Sequence, residues 1–138
     1  MRVFLTGASG FIGSAIIPEL VRAGHRVLGL ARSDAAAAKL TAAGIEVHRG
    51  NLTDPETLRS GAAACDGVIH CAFSHDDWND RAGNCAKDRS AIDALGDALA
   101  GSNRPLVITS GTARFASGVV ITEDETPTAS TGGDRAAS

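Results

Sequence analysis

The sequence predicts an α/β fold, a doubly wound parallel sheet of five strands in the order 3-2-1-4-5 with helices on both faces. Three observations carry this. Short apolar runs alternate with helical patterns in a βαβαβαβαβ series, and parallel strands require such crossovers. The first run, Val3 to Thr6, is apolar almost throughout, as a strand covered on both faces should be. It then reaches a glycine turn that opens directly into a helix. Right-handed crossovers with a ligand at that first turn set the strand order.

The turn is Gly7-Ala8-Ser9-Gly10-Phe11-Ile12-Gly13, a Gly-x-x-Gly-x-x-Gly spacing. Gly7 allows a sharp turn in backbone angles that a side chain forbids. Gly10 leaves room for a pyrophosphate to approach the main chain, and Gly13 lets the helix pack closely on the strand. The free N–H groups and positive dipole end of the helix would then face phosphate. Glycine turns alone are weak evidence; a strand before, a helix after and further βα units make this one a dinucleotide reading.

The first helix spans Phe11 to about Ala23, with Phe11, Ile12, Ala15, Ile16 and Leu20 as its apolar stripe, a kink expected at Pro18 and Gly24 as its C-cap. Arg26 to Ala31 is the second strand. Ser33-Asp34 caps a helix over Ala35 to Ala43, Gly44 ends it, and Ile45 to His48 is the third strand. Asp54-Pro55-Glu56 starts a helix reaching about Ala63, with proline in the first turn and acids near the positive end. Asp66 to Cys71 is the fourth strand. A polar stretch, Ser74 to about Asn79, leads into a long helix ending near Gly101, and Pro105 to Ser110 is the fifth strand.

A length of 138 residues suits one domain with a proper core. The aromatic share of 4% is low and the apolar surplus is mostly alanine, which fits Ala-rich helices around an aliphatic sheet. A net charge of -3 gives no support for nucleic-acid binding, which usually shows a basic patch. No apolar run reaches the length of a membrane span, and glycines interrupt the N-terminus where a signal peptide would be apolar. Cys65, Cys71 and Cys85 are odd in number and form no Cys-x-x-Cys pair, which argues for reduced thiols. A cytoplasmic protein without membrane or nucleic-acid partners is the expectation; a homo-oligomer is left open.

The segments TGASGFIG (6–13), ARS (31–33), GNLTDPETL (50–58), GVIHCAF (67–73) and VITSGTA (107–113) stand in one order and spacing. On these the chain resembles the NAD(P)-dependent epimerase/dehydratase branch, extended or atypical, of the short-chain dehydrogenase/reductase superfamily. The resemblance implies a Rossmann domain over residues 1–110 that binds NAD(P) along the carboxyl ends of its strands. Gly7, Ser9, Gly10, Phe11, Ile12 and Gly13 would cradle the pyrophosphate. Asn51-Leu52 matches the family's acidic-Leu pair beside the adenine, with an amide in place of the usual Asp. Cys71, Ala72 and Phe73 would line the ribose and nicotinamide side.

Cofactor choice is read at the end of the second strand, where an acid favours NAD and a cation favours NADP. Arg32 offers a planar fork matched to phosphate, Ser33 adds a hydroxyl, and Lys39 follows seven residues on. NADP is the expected cofactor, with NAD as the alternative. The other reading of Arg32 is a surface arginine near a loop.

The family's chemistry pairs nicotinamide with a Ser/Thr, a Tyr and a Lys in acid–base roles. Thr109-Ser110-Gly111-Thr112 resembles its Ser-rich turn, with Gly111 at the usual hydroxyl position and Ser110 and Thr112 as flanking catalytic candidates. A Ser/Thr turn bonding its own backbone is an equal reading. The sequence contains no tyrosine. Arg135-Ala136-Ala137-Ser138 resembles the place of Tyr-x-x-Ser-Lys, and an arginine there keeps its proton. Residues 111–138 read as an active-site loop or a truncated continuation of the same domain, with truncation expected.

No metal site is expected, because His70, His75, Asp76 and Asp77 match no common ligand spacing. Cys71 reads as a small packing residue. Trp78 reads equally as a pocket wall or as packing over a helix start. Two functions follow: an NADP(H)-dependent oxidoreductase or epimerase/dehydratase acting on a small carbonyl, hydroxyl or nucleotide-sugar-like substrate, or a non-catalytic dinucleotide-binding sensor, regulatory protein or catalytically incomplete fragment.

Overall fold

Five parallel strands and four helices alternate along the chain in the computed structural model, which describes residues 1–75, 77, 79–110 and 122. They are β1 (Arg2–Thr6), α1 (Phe11–Arg22), β2 (Arg26–Ala31), α2 (Asp34–Ala42), β3 (Glu46–Arg49), α3 (Pro55–Ala63), β4 (Gly67–His70), α4 (Arg81–Leu99) and β5 (Leu106–Ile108). The sheet order is β3-β2-β1-β4-β5 with every pairing parallel. This is the expected Rossmann-like fold. Residues 111–138 fall almost entirely outside the described residues, and so does the reading of that segment as a loop or truncated continuation.

The period of two along each strand divides the core between the faces. Phe4, Leu28, Leu30 and Val68 point to one side, where Leu58 and Ala62 of α3 and Ala91 and Leu95 of α4 cover them. Leu5, Val27 and Ala31 point to the other, against Ile17 of α1 and Leu40 of α2. Two glycines let helix and sheet approach. A Cβ on Gly61 would overlap the Phe4 ring, and one on Gly29 would come within 2.7 Å of the Leu40 side chain.

The stripe of α1 differs from expectation. Phe11, Ile12 and Ala15 are exposed, and the buried positions are Gly13 and Ile17, with Leu20 packed beside them. Phe11 and Ile12 sit in the first turn, above the end of the sheet, so they overlook the strand ends rather than its face. Pro18 lies inside α1. Both α1 and α2 stop in the same manner. His25 N–H donates to the Leu20 carbonyl and Ile45 N–H to the Leu40 carbonyl, around Gly24 and Gly44 at positive φ. That is the Schellman arrangement. Strand ends shift by a residue or two; β3 begins at Glu46, and β5 is confined to Leu106–Ile108.

Candidate functional site

The first four βα junctions all reach the carboxyl end of the sheet, where they enclose a cleft of about 710 Å³. Its lining comes from the turn after β1, the end of β2 with the start of α2, residues 51–53 after β3, and residues 71–75 after β4. A cleft crossing several strand ends at the point where sheet order reverses is where doubly wound folds bind ligands.

All thirteen residues named above for the cofactor line this cleft: Gly7, Ser9, Gly10, Phe11, Ile12, Gly13, Arg32, Ser33, Asn51, Leu52, Cys71, Ala72 and Phe73. Gly7 has φ 67°, and a Cβ there would lie 2.8 Å from the Ala72 nitrogen. A Cβ on Gly13 would overlap the Gly7 carbonyl oxygen, so the close approach is between the first turn of α1 and the glycine turn itself. Gly10 is the N-cap of α1 and its backbone N–H donates to Gly7 O at 2.9 Å. No side chain caps α1, whereas Ser33, Asp54 and Asp80 cap the other three helices. The opening N–H groups of a helix have no internal partner, and those of α1 belong to residues on the cleft.

At the far end of β2 the lining carries two cations, Arg32 and Lys39, and the described lining residues include no acid. Lys39 Nζ donates to the Ser9 carbonyl at 2.8 Å, which ties α2 to the glycine turn. Ser33 Oγ accepts from the Ala36 N–H at 3.2 Å, leaving its own hydrogen to donate. Asp34 is the first residue of α2 and does not line the cleft.

The opposite end holds Cys71, Ala72, Phe73, Ser74 and His75. Burial pushes the Cys71 thiol up from its ordinary value, a direction that disfavours the thiolate. Phe73 and His75 meet edge to face with ring centroids 5.2 Å apart. Ser110 is exposed beyond β5 and is not among the lining residues. Thr112, Arg135 and Trp78 lie outside the described residues, as does Asp76. Among the described residues no group of three His, Cys, Asp or Glu side chains could hold a metal.

Beneath the floor runs a buried polar relay that the sequence reading did not connect. Ala72 N–H donates to Thr6 Oγ1 at 3.3 Å, Thr6 Oγ1 lies 2.7 Å from His70 Nδ1, and His70 Nε2 lies 3.2 Å from Asp88 Oδ1. Thr6, His70 and Asp88 are fully buried. The amide N–H at one end only donates, and a carboxylate at the other only accepts. An Nε2–H donates to a carboxylate on Asp88, and in the neutral imidazole Nδ1 then accepts from the Thr6 hydroxyl. The His70 carbonyl also accepts from Thr109 N at 3.0 Å and Thr109 Oγ1 at 3.1 Å. One residue thus joins the cleft floor, α4 and the chain leaving β5 toward Ser110. A signal existed in the sequence, since Asp88 sits on the stripe Cys85, Asp88, Ala91 and Leu95 that α4 buries.

Among the described residues no helix is long and apolar enough to cross a membrane. Comparison with known proteins agrees with the fold. The profile of the NAD dependent epimerase/dehydratase family matches residues 3–131. An uncharacterized protein of Schizosaccharomyces pombe is 51% identical over 117 residues, covering 85% of this chain and 39% of that protein. The decarboxylating sterol-4-alpha-carboxylate 3-dehydrogenase of Dictyostelium discoideum is 42% identical over 71 residues, 51% of this chain and 22% of the enzyme. The crystal structure of UDP-N-acetylglucosamine 4-epimerase from Bacillus cereus superposes with TM-score 0.72 at 20% identity, covering 93% of this chain and 42% of that one, a likeness of fold. The chain spans about two fifths of the length of the first of these relatives. With a strand order, a glycine turn and a sequence profile in agreement, the chain belongs to the NAD-dependent epimerase/dehydratase family, which implies a nicotinamide dinucleotide as cofactor.

Proposed function

We propose that this chain binds NADP(H) in the strand-end cleft and presents it for hydride transfer to or from a small carbonyl or hydroxyl substrate. The observation that carries the cofactor reading is the β2 wall, where Arg32 and Lys39 line the cleft and the described lining residues include no acid. Arg32 supplies a fork of donors for a ribose 2′-phosphate, and Ser33 supplies a hydroxyl. The α1 N–H groups and Gly10 receive the pyrophosphate, where a side chain at residue 10 would intrude. Asn51 and Leu52 border the adenine. Cys71, Ala72 and Phe73 seat the ribose and ring at the other end, where apolar Phe73 excludes water. When bound, the nicotinamide supplies or accepts the hydride.

Ser110, following Thr109 at the exit of β5, is assigned to orient a substrate oxygen through its Oγ hydrogen, with Thr112 as its neighbour in that role. The substrate class rests on the redox chemistry named for the sterol dehydrogenase relative. Cytoplasmic location and self-association belong to the same proposal. The absence of tyrosine favours a second reading, cofactor binding without turnover. Consumption of NADPH with a panel of ketones separates the two.

Substitution of Arg32 tests the cofactor reading. Arg32→Ala is expected to weaken NADPH about tenfold or more while leaving NADH within about twofold, because a charge-assisted contact to the 2′-phosphate contributes about 1.5–3 kcal/mol. Equal losses for both cofactors, or none, would overturn it.

A further inference from the structure

The first acid after β2 is Asp34, adjacent to Ser33 and two residues from Arg32. An acid in this neighbourhood has two consequences. It repels a ribose 2′-phosphate, and it offers an acceptor to a ribose 2′-hydroxyl. Both favour NAD(H) over NADP(H). The fold deals with this acid by means of a residue from the neighbouring strand.

Arg49 is the last residue of β3 and stands in register with Ala31, the last residue of β2. From there its guanidinium spans the start of α2. Nη1 donates to the Ser33 carbonyl at 2.7 Å and Nη2 to Asp34 Oδ1 at 2.6 Å. The carbonyl contact matters because it anchors the fork on the backbone, so the ion pair does not depend on two free side chains. Neither Arg49 nor Asp34 lines the cleft. The two charges offset each other outside it, on the far side of Ser33 from the cleft that Arg32 and Lys39 line.

We propose that Arg49 is a positioning residue for cofactor choice: it neutralises Asp34 and holds it off the β2 wall, and so preserves the preference for a 2′-phosphate without touching the cofactor. This rests on the NADP(H) reading of the cleft and adds to it a residue that the end of β2 alone does not reveal. Arg49 acts through Asp34. Without it, Asp34 is free to turn toward the site that Arg32 and Ser33 border.

The test is a cycle on the full chain at low ionic strength, with dissociation constants for NADPH and NADH measured by calorimetric titration. In Arg49→Ala the ratio of the NADH constant to the NADPH constant is expected to fall about fivefold, the upper range for an exposed pair. Adding Asp34→Ala in the same chain should return the ratio to within about twofold of the unsubstituted protein. A simple loosening of the loop would weaken both cofactors together and leave the ratio unchanged, which would overturn the proposal. A double variant as low as Arg49→Ala would also overturn it, since Arg49 would then act by its own charge. Failure of the cofactor reading itself is visible earlier, as an unsubstituted protein that does not prefer NADPH.

Discussion

Gly13 has the least latitude of the three glycines that line the cleft. A Cβ there meets the Gly7 carbonyl and Ala8 Cα, both backbone, so no side-chain rotation relieves it. Gly13→Ala is expected to destabilise the fold by about 1–3 kcal/mol and to abolish dinucleotide binding. Gly24 is the control: at φ 79° with open space around it, Gly24→Ala should cost only about 1 kcal/mol of backbone strain and leave the affinity intact. Denaturant unfolding and an NADPH titration on each variant give both readouts.

A second residue-scale expectation concerns acid. Arg26 and Arg2 both reach Glu46, at 2.5 and 2.7 Å, and hold its carboxyl below the usual carboxylate range. With the folded value depressed, the stabilisation is complete above the unfolded value and is lost as pH falls through the folded one. The stability difference between the protein and Glu46→Gln should therefore be constant near neutrality and shrink below about pH 4. A difference that grows in acid would contradict this.

The elements were the most legible part of the chain, and the reasons are local. Ser33 and Asp54 cap where N-cap chemistry places them, and Gly24 and Gly44 stop helices by adopting positive φ. The unbroken apolar run of β1 reads directly as a strand covered on both faces. What was not legible arises from contacts between distant elements. Periodicity alone assigned Phe11 and Ile12 to the core face of α1, whereas the first turn overhangs the sheet end. The Asp88 stripe marked a buried carboxylate without showing that His70, 18 residues away, receives it. The relay has its own test. Thr6→Val keeps the shape but leaves Ala72 N–H and His70 Nδ1 without their partner, at a cost of about 1–3 kcal/mol, while Thr6→Ser should lose much less. Equal losses in thermal unfolding would show that the hydroxyl has no part.

At the scale of the molecule, the two packed faces leave the carboxyl end of the sheet as the place where glycine turn, cations and apolar floor converge. That the thirteen residues would share one cleft was readable because each lies on a junction that follows a strand end. The place of the catalytic candidates relative to it was not, since Ser110 stands outside the cleft lining and Thr112 outside the described residues. A ligand spanning four βα junctions should stabilise them together. NADPH at about a hundred times its dissociation constant should add about 2.7 kcal/mol to unfolding, a gain that Arg32→Ala would reduce.

The central claim is that the cleft is a dinucleotide site that selects a 2′-phosphate. Calorimetric titration of the full chain with NADPH and with NADH measures this most directly. The account predicts saturable one-to-one binding, with NADPH at least about tenfold tighter and displaced by 2′,5′-ADP. Binding of neither nucleotide, or equal affinity for both, would contradict it.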